Sequence, residues 1–203
     1  TKLGEATKAV SQLQTAHTLA VREFGKQHPT TLSILSHLAT AQQAAGQLEI
    51  ALPLHQQVLQ TQRDQLGPQH RLTLKAMNDL AVAYDDAGQP AEAIKLHEQV
   101  LQAYRTTLGP SDRETIASMG NLGVVYRSVG RLTEALHIHE EAVRLAQQEW
   151  GLRDLGTITA MQYLAVDYAD AERFPEAVTL YRQVLAHRQE LLGTDHPRTL
   201  GVM

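Results

Sequence analysis

Apolar and polar residues alternate along the chain with the period of an α-helix. In the segment 71–88, apolar residues fall three or four positions apart, as on one helix face: Leu74, Met77, Leu80, Ala81 and Tyr84. The segment 90–109 carries a second stripe that we expect to be buried: Ala93, Leu96, His97, Val100, Leu101 and Leu108. Gly88 suits the left-handed position after a helix, and Pro90 suits the first position of the next helix. The pattern therefore predicts two helices joined by a short turn.

This pair of helices recurs every 42 residues without a slip. Three positions mark the period: Gly25, Gly67, Gly109, Gly151 and Gly193; Thr31, Thr73, Thr115, Thr157 and Thr199; and Leu32, Leu74, Ile116, Ile158 and Leu200. A fixed period between 20 and 50 residues is typical of stacked repeats. We predict the second helix of a truncated repeat at 1–24, four full repeats at 25–66, 67–108, 109–150 and 151–192, and the start of another at 193–203. Since both ends fall within a repeat, we expect the chain to be a segment of a longer protein.

The turn between repeats is expected to cap the helix that follows. Asp112 and Asp154 are good N-cap residues, and His28, His70 and His196 occupy the same position. The repeated Thr three residues later is expected to bond within the first helical turn. We interpret the whole turn as structural rather than as a binding loop.

One repeat departs from the pattern at the end of its first helix. Gly46, Gly88 and Gly130 stand there in the first three repeats, whereas the fourth has Glu172. Because glycine adopts the left-handed conformation without strain, we expect a looser stop or a different geometry at Glu172.

The repeated residues resemble the tetratricopeptide repeat. The likeness is carried in the second repeat by Leu80, Ala81, Tyr84, Gly88 and Ala93, and in the third by Leu122, Gly123, Tyr126, Gly130 and Ala135. The 42-residue period and the LGPxH-type turn are similar to the kinesin light chain type. The resemblance implies an all-α fold: a right-handed α-solenoid of antiparallel helical hairpins, with first helices lining a concave groove that binds peptides.

Three histidines replace the aromatic residue that this family often has on the second helix. His55, His97 and His139 recur at the repeat period, and Tyr181 restores the aromatic in the fourth repeat. We interpret the histidines as half-buried packing residues. A shared metal ion needs ligands about 2 Å away, whereas packed helices lie roughly 8–10 Å apart.

Composition narrows the class of function. A formal charge of −4 and 4% aromatic residues argue against a nucleic-acid partner. No apolar run approaches the roughly 20 residues that cross a bilayer, and zero Cys fits a reducing compartment, so a cytoplasmic location is expected. No HExxH motif or phosphate-binding loop occurs. We therefore predict no catalytic residues, no metal site and no cofactor.

The resemblance also indicates which polar residues would line the groove. These candidate peptide-binding residues are His37, Lys75, Asn78, Asp79, Asp85, Asn121, Arg127, Gln162, Tyr163 and Asp170. The amides of Asn78 and Asn121 suit a peptide backbone, and Arg127 suits a carboxylate. Because acidic residues outnumber basic ones in this set, a neutral or basic segment is the favoured ligand. The Lys and Asn set of the chaperone-binding subclass is not present in any run of three repeats.

Three functions remain open at this point. The leading hypothesis is a protein–protein interaction module that binds a peptide or partner segment in the groove. The alternatives are a structural spacer or self-assembly element, with head-to-tail stacking through cut ends, and a regulatory sensor arm of a larger kinase or ATPase.

Overall fold

The computed structural model describes residues 2–201, and their side chains from residue 8 onward. Within that range the chain forms helices and turns and no strand, which confirms the predicted all-α fold. The helices are α1 (Lys2–Phe24), α2 (Pro29–Ala44), α3 (Leu48–Leu66), α4 (Arg71–Asp86), α5 (Pro90–Thr107), α6 (Arg113–Ser128), α7 (Leu132–Trp150), α8 (Leu155–Asp170), α9 (Phe174–Leu192) and α10 (Pro197–Leu200).

The chain divides into two compact units, Thr1–Val100 and Leu101–Met203, and each is a stack of helical hairpins. In unit 1, α2 packs against α1 and α3, and α4 packs against α3 and more lightly against α2. Unit 2 repeats the arrangement: α7 packs against α6 and α8, α9 packs against α8 and α10, and α6 touches α8. Within each unit, consecutive helices are joined by short turns and are therefore antiparallel. As a result, first helices lie side by side within each unit.

Small residues let these helices approach closely. Ala39, Ala81 and Ala165 on first helices are fully buried, as are Ala51 and Ala135 on second helices. Each stands at a repeated position of the 42-residue period. Most of the apolar positions predicted from the sequence therefore form the core of each unit. The predicted burial of Leu108 is wrong, because α5 ends at Thr107 and Leu108 keeps 48% of its surface exposed.

The predicted N-caps are confirmed at every turn between repeats. The Asp112 carboxylate accepts from the Glu114 N–H at 2.8 Å, and Asp154 accepts from Gly156 at 2.8 Å. His70 plays the same part with its ring, because Nδ1 accepts from the Leu72 N–H at 3.2 Å. His28 and His196 make the corresponding bonds. Each cap satisfies a backbone donor that the first helical turn leaves without a partner.

The hydroxyl of the repeated Thr donates to a different partner from the one expected from the sequence. Thr73 Oγ1 donates to the Gly67 carbonyl at 2.8 Å, and Thr115 does the same to Gly109 at 2.7 Å. In other turns the hydroxyl reaches the preceding helix, as when Thr157 donates to the Ala146 carbonyl at 3.2 Å. The expectation of a bond within the first helical turn is therefore wrong. The buried hydroxyl instead ties the start of one helix to the end of the helix before it.

Glu172 adopts the same stop as the glycines, so the expected looser or different geometry is wrong. Its φ is +58°, beside +79° at Gly130. The Glu172 N–H donates to the Ala169 carbonyl at 3.0 Å, and the Arg173 N–H donates to Tyr168 at 2.8 Å. The turn at Gly130 has the corresponding pair of bonds, from Gly130 to Arg127 and from Arg131 to Tyr126. The helix-closing bonds hold Glu172 in a conformation that costs a residue with a Cβ about 1–2 kcal/mol.

The three repeated histidines are fully buried, which corrects the expectation of half-buried side chains. The exposed fractions of His55, His97 and His139 are 2%, 1% and 0%. His55 bonds through Nε2 to Gln43 Oε1 at 3.2 Å, whereas His97 Nδ1 has no hydrogen-bond partner among the described residues. Burial lowers the pKa of His55, and it lowers that of His97 to about 4. The neutral ring is therefore the form of His97 that the core accepts.

Replacing Glu172 by glycine is expected to stabilise the protein by about 1 kcal/mol, because glycine relieves the left-handed strain. The reciprocal variant Gly130→Glu should destabilise it by a similar amount, since no atom lies within 4 Å of the added Cβ and only the backbone conformation changes. Thermal unfolding of both variants beside the unmodified chain measures the two effects. A lower melting temperature for Glu172→Gly would contradict this account.

Below its unfolded-state pKa of about 6.5, His97 binds a proton in the unfolded chain before it does so in the folded one. The free energy of unfolding should therefore fall as pH drops from about 6.5 to 4, by roughly 3 kcal/mol in total from this residue. His97→Phe should flatten this acid limb in urea titrations. The exposed His137→Gln serves as the control and should keep the slope; equal slopes for both variants would contradict the assignment to His97.

Candidate functional site

The candidate residues of unit 1 lie on α2 and α4, and two of them pair with each other. Lys75 Nζ donates to Asp79 Oδ2 at 2.7 Å, one helical turn away. Asn78 beside them is half-buried, and His37 on α2 is exposed. The pairing neutralises one of the acidic groups that made this face look anionic in the sequence.

Asp85 and Asp86 have different surroundings at the end of α4. Gln43 of α2 donates to Asp86 Oδ2 at 2.6 Å, so this carboxylate joins the polar link that also reaches His55. Asp85 is half-buried, and burial raises its pKa, with a further rise from the adjacent Asp86 charge. The adjacent carboxylates therefore do not form a convergent acid–base pair.

In unit 2, Arg127 is engaged by carboxylates of the chain itself. Its Nη1 lies 3.5 Å from Asp167 Oδ1, and its Nε lies 3.6 Å from Asp170 Oδ2. Asp167 is fully buried, whereas the Arg127 side chain keeps 23% of its surface exposed. A ligand carboxylate at Arg127 would compete with both aspartates, one of which has no access to water.

Asp167 also holds the buried ring of His139. His139 Nδ1 lies 2.5 Å from Asp167 Oδ2, and Nε2 lies 3.2 Å from the Gly120 carbonyl oxygen. Both ring nitrogens thus face oxygen atoms, which hold the ring from two sides. The ring of Tyr163 stacks on His139 at a centroid distance of 5.4 Å. This cluster connects α6, α7 and α8.

Gly123 makes room for this position of His139. A Cβ on Gly123 would lie 2.3 Å from His139 Nε2, inside van der Waals contact. The other repeats have Ala39, Ala81 and Ala165 at the equivalent position. The His139–Asp167 contact therefore depends on a glycine that only the third repeat carries.

The two remaining polar candidates on unit 2 differ in their environment. Gln162 Oε1 accepts from Arg188 Nη2 at 2.6 Å, so its amide positions a buried side chain of α9. Asn121 is half-buried on α6. Together with Ala117, Thr159 and Tyr163, these residues define what we call the α6–α8 face.

An apolar pocket of about 250 Å³ opens on the α6–α8 face. Its walls come from α6, α7, α8 and the start of α10, and its principal residues are Arg113, Ala117, Gly120, Trp150, Thr159, Tyr163 and Arg198. Trp150 is the only tryptophan of the chain, and the Arg113 guanidinium lies 4.3 Å above its ring. Arg113 also makes two hydrogen bonds to Asp154, at 2.7 and 3.1 Å. The pocket is thus apolar inside and bordered by arginine.

Sequence reasoning placed Tyr163 at this face but missed the pocket itself. Small residues create it, and they are visible only when the repeats are compared with each other. Gly120, Gly156 and Thr159 correspond to Ser36, Leu72 and Lys75 two repeats earlier. Asp167 was missed as well, because its equivalents Ala41, Ala83 and Val125 are apolar or small.

No three His, Asp or Glu side chains within the described residues converge in a way that could hold a metal ion. None of the helices in the same part of the chain is both long enough and apolar enough to cross a membrane.

Replacing Gly123 by alanine tests the crowding around His139. Helix propensity alone would stabilise the protein by about 1 kcal/mol, but the collision with the ring is expected to cost about 1–3 kcal/mol. We therefore expect net destabilisation in chemical unfolding. In a His139→Ala background the collision is gone, and the same substitution should become stabilising. If Gly123→Ala changed the free energy of unfolding in the same direction in the unmodified chain and in the His139→Ala variant, the proposed contact would be contradicted.

Family models and solved structures agree on the class of this chain. Models of the tetratricopeptide repeat match residues 1–64, 31–106 and 86–148, and a further model of that repeat matches 157–198. A search of curated proteins found no match.

Among solved structures, a Podosopora anserina kinesin light chain-like protein with nearly identical TPR-like repeats is 28% identical, with a TM-score of 0.80 over 92% of this chain and 88% of that one. BtubC (BKLC) from P. vanneervenii is 20% identical, with a TM-score of 0.73 over 99% of this chain and 81% of that one. PlcR of Bacillus thuringiensis, solved with the peptide PapR7 and DNA, is 16% identical. Its TM-score is 0.71 over 94% of this chain and 66% of that one. The last two likenesses concern the fold alone.

The repeated turns, the paired helices and these matches lead to one conclusion: the chain belongs to the tetratricopeptide repeat family and is an array of the kinesin light chain-like type.

Proposed function

We propose that the chain is a protein–protein interaction module that binds an extended polypeptide segment on its first-helix faces. The observation that carries the proposal is the pocket on the α6–α8 face, which leaves apolar surface and an aromatic ring open to a ligand. Its volume of about 250 Å³ lies below the roughly 300–1,000 Å³ of sites that enclose whole small molecules. It therefore suits one or two side chains of a longer ligand.

Polar groups around the pocket suit a peptide backbone. Asn121 and Gln162 are the chain neighbours of the lining residues Gly120 and Tyr163, and Thr159 lines the pocket with a hydroxyl whose proton goes to the Leu155 carbonyl at 2.8 Å. An amide and a hydroxyl oxygen can each accept from a peptide N–H. An apolar anchor surrounded by polar contacts is typical of peptide recognition.

The contacts within the chain revise the ligand preference drawn from residue counts. Asp79 is paired with Lys75, and Asp170 lies beside Arg127, so the acidic excess on these faces is partly neutralised. Arg127 is held by the chain itself and has a positioning role in the proposal rather than a ligand-binding one. The α6–α8 face consequently favours an apolar anchor over a basic segment.

Two solved structures of similar fold offer a parallel from other proteins. PlcR was solved with a peptide, and NprR is a quorum sensor that is 18% identical, with a TM-score of 0.74. PlcR supports the proposal as an example of a protein of this fold with a peptide bound, and NprR only as a second protein of similar fold. We propose no catalytic role, because the fold typically serves as a scaffold, and we keep the cytoplasmic location as a prediction.

Selection from a random peptide library on the whole chain, followed by isothermal titration, tests this function. Ala117→Asp places a carboxylate at the mouth of the pocket and should weaken the selected peptides about tenfold or more, since an apolar anchor would have to desolvate the charge. The control, Ala186→Asp, changes an exposed alanine of α9 outside the pocket lining and should bind like the unmodified chain.

Failure to select any peptide, or equal binding by both variants, would contradict the proposal. Light scattering over a range of concentrations belongs in the same experiment. Growth of the particle with concentration, together with failed selection, would favour the self-assembly alternative.

A further inference from the structure

The arginines at the edge of the pocket are not equivalent. Arg113 is committed to Asp154 through two hydrogen bonds and covers the Trp150 ring. Arg198, at the start of α10, also lines the pocket, and no carboxylate of the described residues pairs with its guanidinium. No Asp or Glu is among the residues that line the pocket. The edge of the pocket at Arg198 therefore carries a positive charge, and no carboxylate of the described residues is its counterion.

A second arginine strengthens the positive charge at this point. Arg188 of α9 is only 6% exposed, and it donates to the Arg198 carbonyl oxygen and to Gln162 Oε1, both at 2.6 Å. Both acceptors are neutral, and no described carboxylate lies within ion-pair distance of Arg188. Burial lowers the pKa of Arg188, and the nearby charge of Arg198 lowers it further. An anion at Arg198 would relieve this repulsion.

The other repeats do not have this combination. The residues equivalent to Arg188 are Ala20, Gln62, Tyr104 and Ala146, and those equivalent to Arg198 include Leu72 and Gly156. In unit 1, Leu72 and Lys75 stand where the pocket has Gly156 and Thr159. In unit 2, the apolar cavity and a positive charge without a carboxylate partner among the described residues therefore occur together.

We propose that this pocket binds the last residue of a polypeptide chain: a bulky apolar side chain enters the cavity and the terminal carboxylate pairs with Arg198. The inference rests on the proposed peptide-binding function and specifies its ligand. Arg198 and the apolar walls line one cavity of about 250 Å³, so a single residue that carries both an apolar group and an anion contacts both.

In a peptide, the chain-terminal residue is the one that carries both groups. An acidic residue next to an internal apolar residue places its carboxylate on the opposite side of an extended chain, because successive side chains alternate in direction. Arginine binds a carboxylate through two parallel hydrogen bonds, which makes it a selective partner for such a terminus.

The single tryptophan gives a site-specific readout of the proposal. N-acetyl-leucine and its uncharged amide are titrated into the whole chain while Trp150 fluorescence is followed. The acid should bind with a dissociation constant in roughly the millimolar range, as expected of so small a ligand, and the amide about tenfold more weakly. Equal binding of acid and amide, or no change at Trp150 with either, would overturn the proposal.

Two variants assign the groups involved. Arg198→Gln should reduce binding of the acid to the level of the amide and leave the amide unchanged. Ala117→Leu should fill the cavity and weaken both ligands, whereas Ala186→Leu, on α9 outside the lining, should bind both like the unmodified chain. Tighter binding of the acid that survives Arg198→Gln would contradict the pairing.

Longer probes separate this proposal from the function on which it rests. An acetylated Gly-Gly-Leu with a free carboxylate should bind at least as well as N-acetyl-leucine, whereas Gly-Gly-Leu-Asp-Gly amide should bind like the uncharged form. If library peptides bind and Ala117→Asp weakens them, but internal and terminal leucine bind equally, the interaction function stands and the terminal-residue proposal fails. If N-acetyl-leucine binds and library peptides do not, the function fails instead.

Discussion

Each hairpin of this protein has an apolar side that its own two helices cannot cover. Burial of that side by the next hairpin holds each unit together, and it requires the helices to approach closely along their whole length. Fully buried alanines at the contact positions permit this approach, as at Ala81 on α4 and Ala135 on α7. The hydrophobic effect rewards the stacking in proportion to the apolar area that it removes from water. The distance between stacked helices, which these alanines set, determines the geometry of the binding surfaces within a unit.

Polar contacts in the turns keep the offset between successive helices the same from repeat to repeat. At each of them a cap satisfies a backbone donor, and a buried Thr hydroxyl bonds to a carbonyl of the turn or of the preceding helix, as Thr115 does to Gly109. Burying an unpaired hydroxyl would cost free energy, so its partner must be present wherever the Thr is buried. The turn therefore specifies where one helix starts relative to the previous one. Glu172 shows that these bonds can impose the left-handed conformation on a residue other than glycine.

Periodicity in the sequence predicted the helices, the caps and the alternation of first and second helices, because these depend on local chemistry that recurs in each repeat. It did not predict the pocket or the His139–Asp167 contact, because both depend on single departures from the repeat. Gly123 and Asp167 matter only in combination with a ring that arrives from another helix. The positions of the ten candidate groove residues came from family resemblance, and their contacts with neighbouring side chains had to be seen in three dimensions. Arg127 illustrates the difference: its residue type suggested a ligand contact, while its surroundings supply two aspartates.

The residues that build the turn and the stack overlap only in part with those that line the pocket, as Ile116 and Gly156 belong to both sets. The buried Thr and the stacking alanines fall at one group of repeat positions, whereas Ala117, Gly120 and Thr159 fall at another. Selectivity for a partner can consequently diverge from one repeat to the next through mutations that leave the stacking register untouched. A tandem array of this kind can acquire a new specificity in one repeat while its neighbours keep theirs.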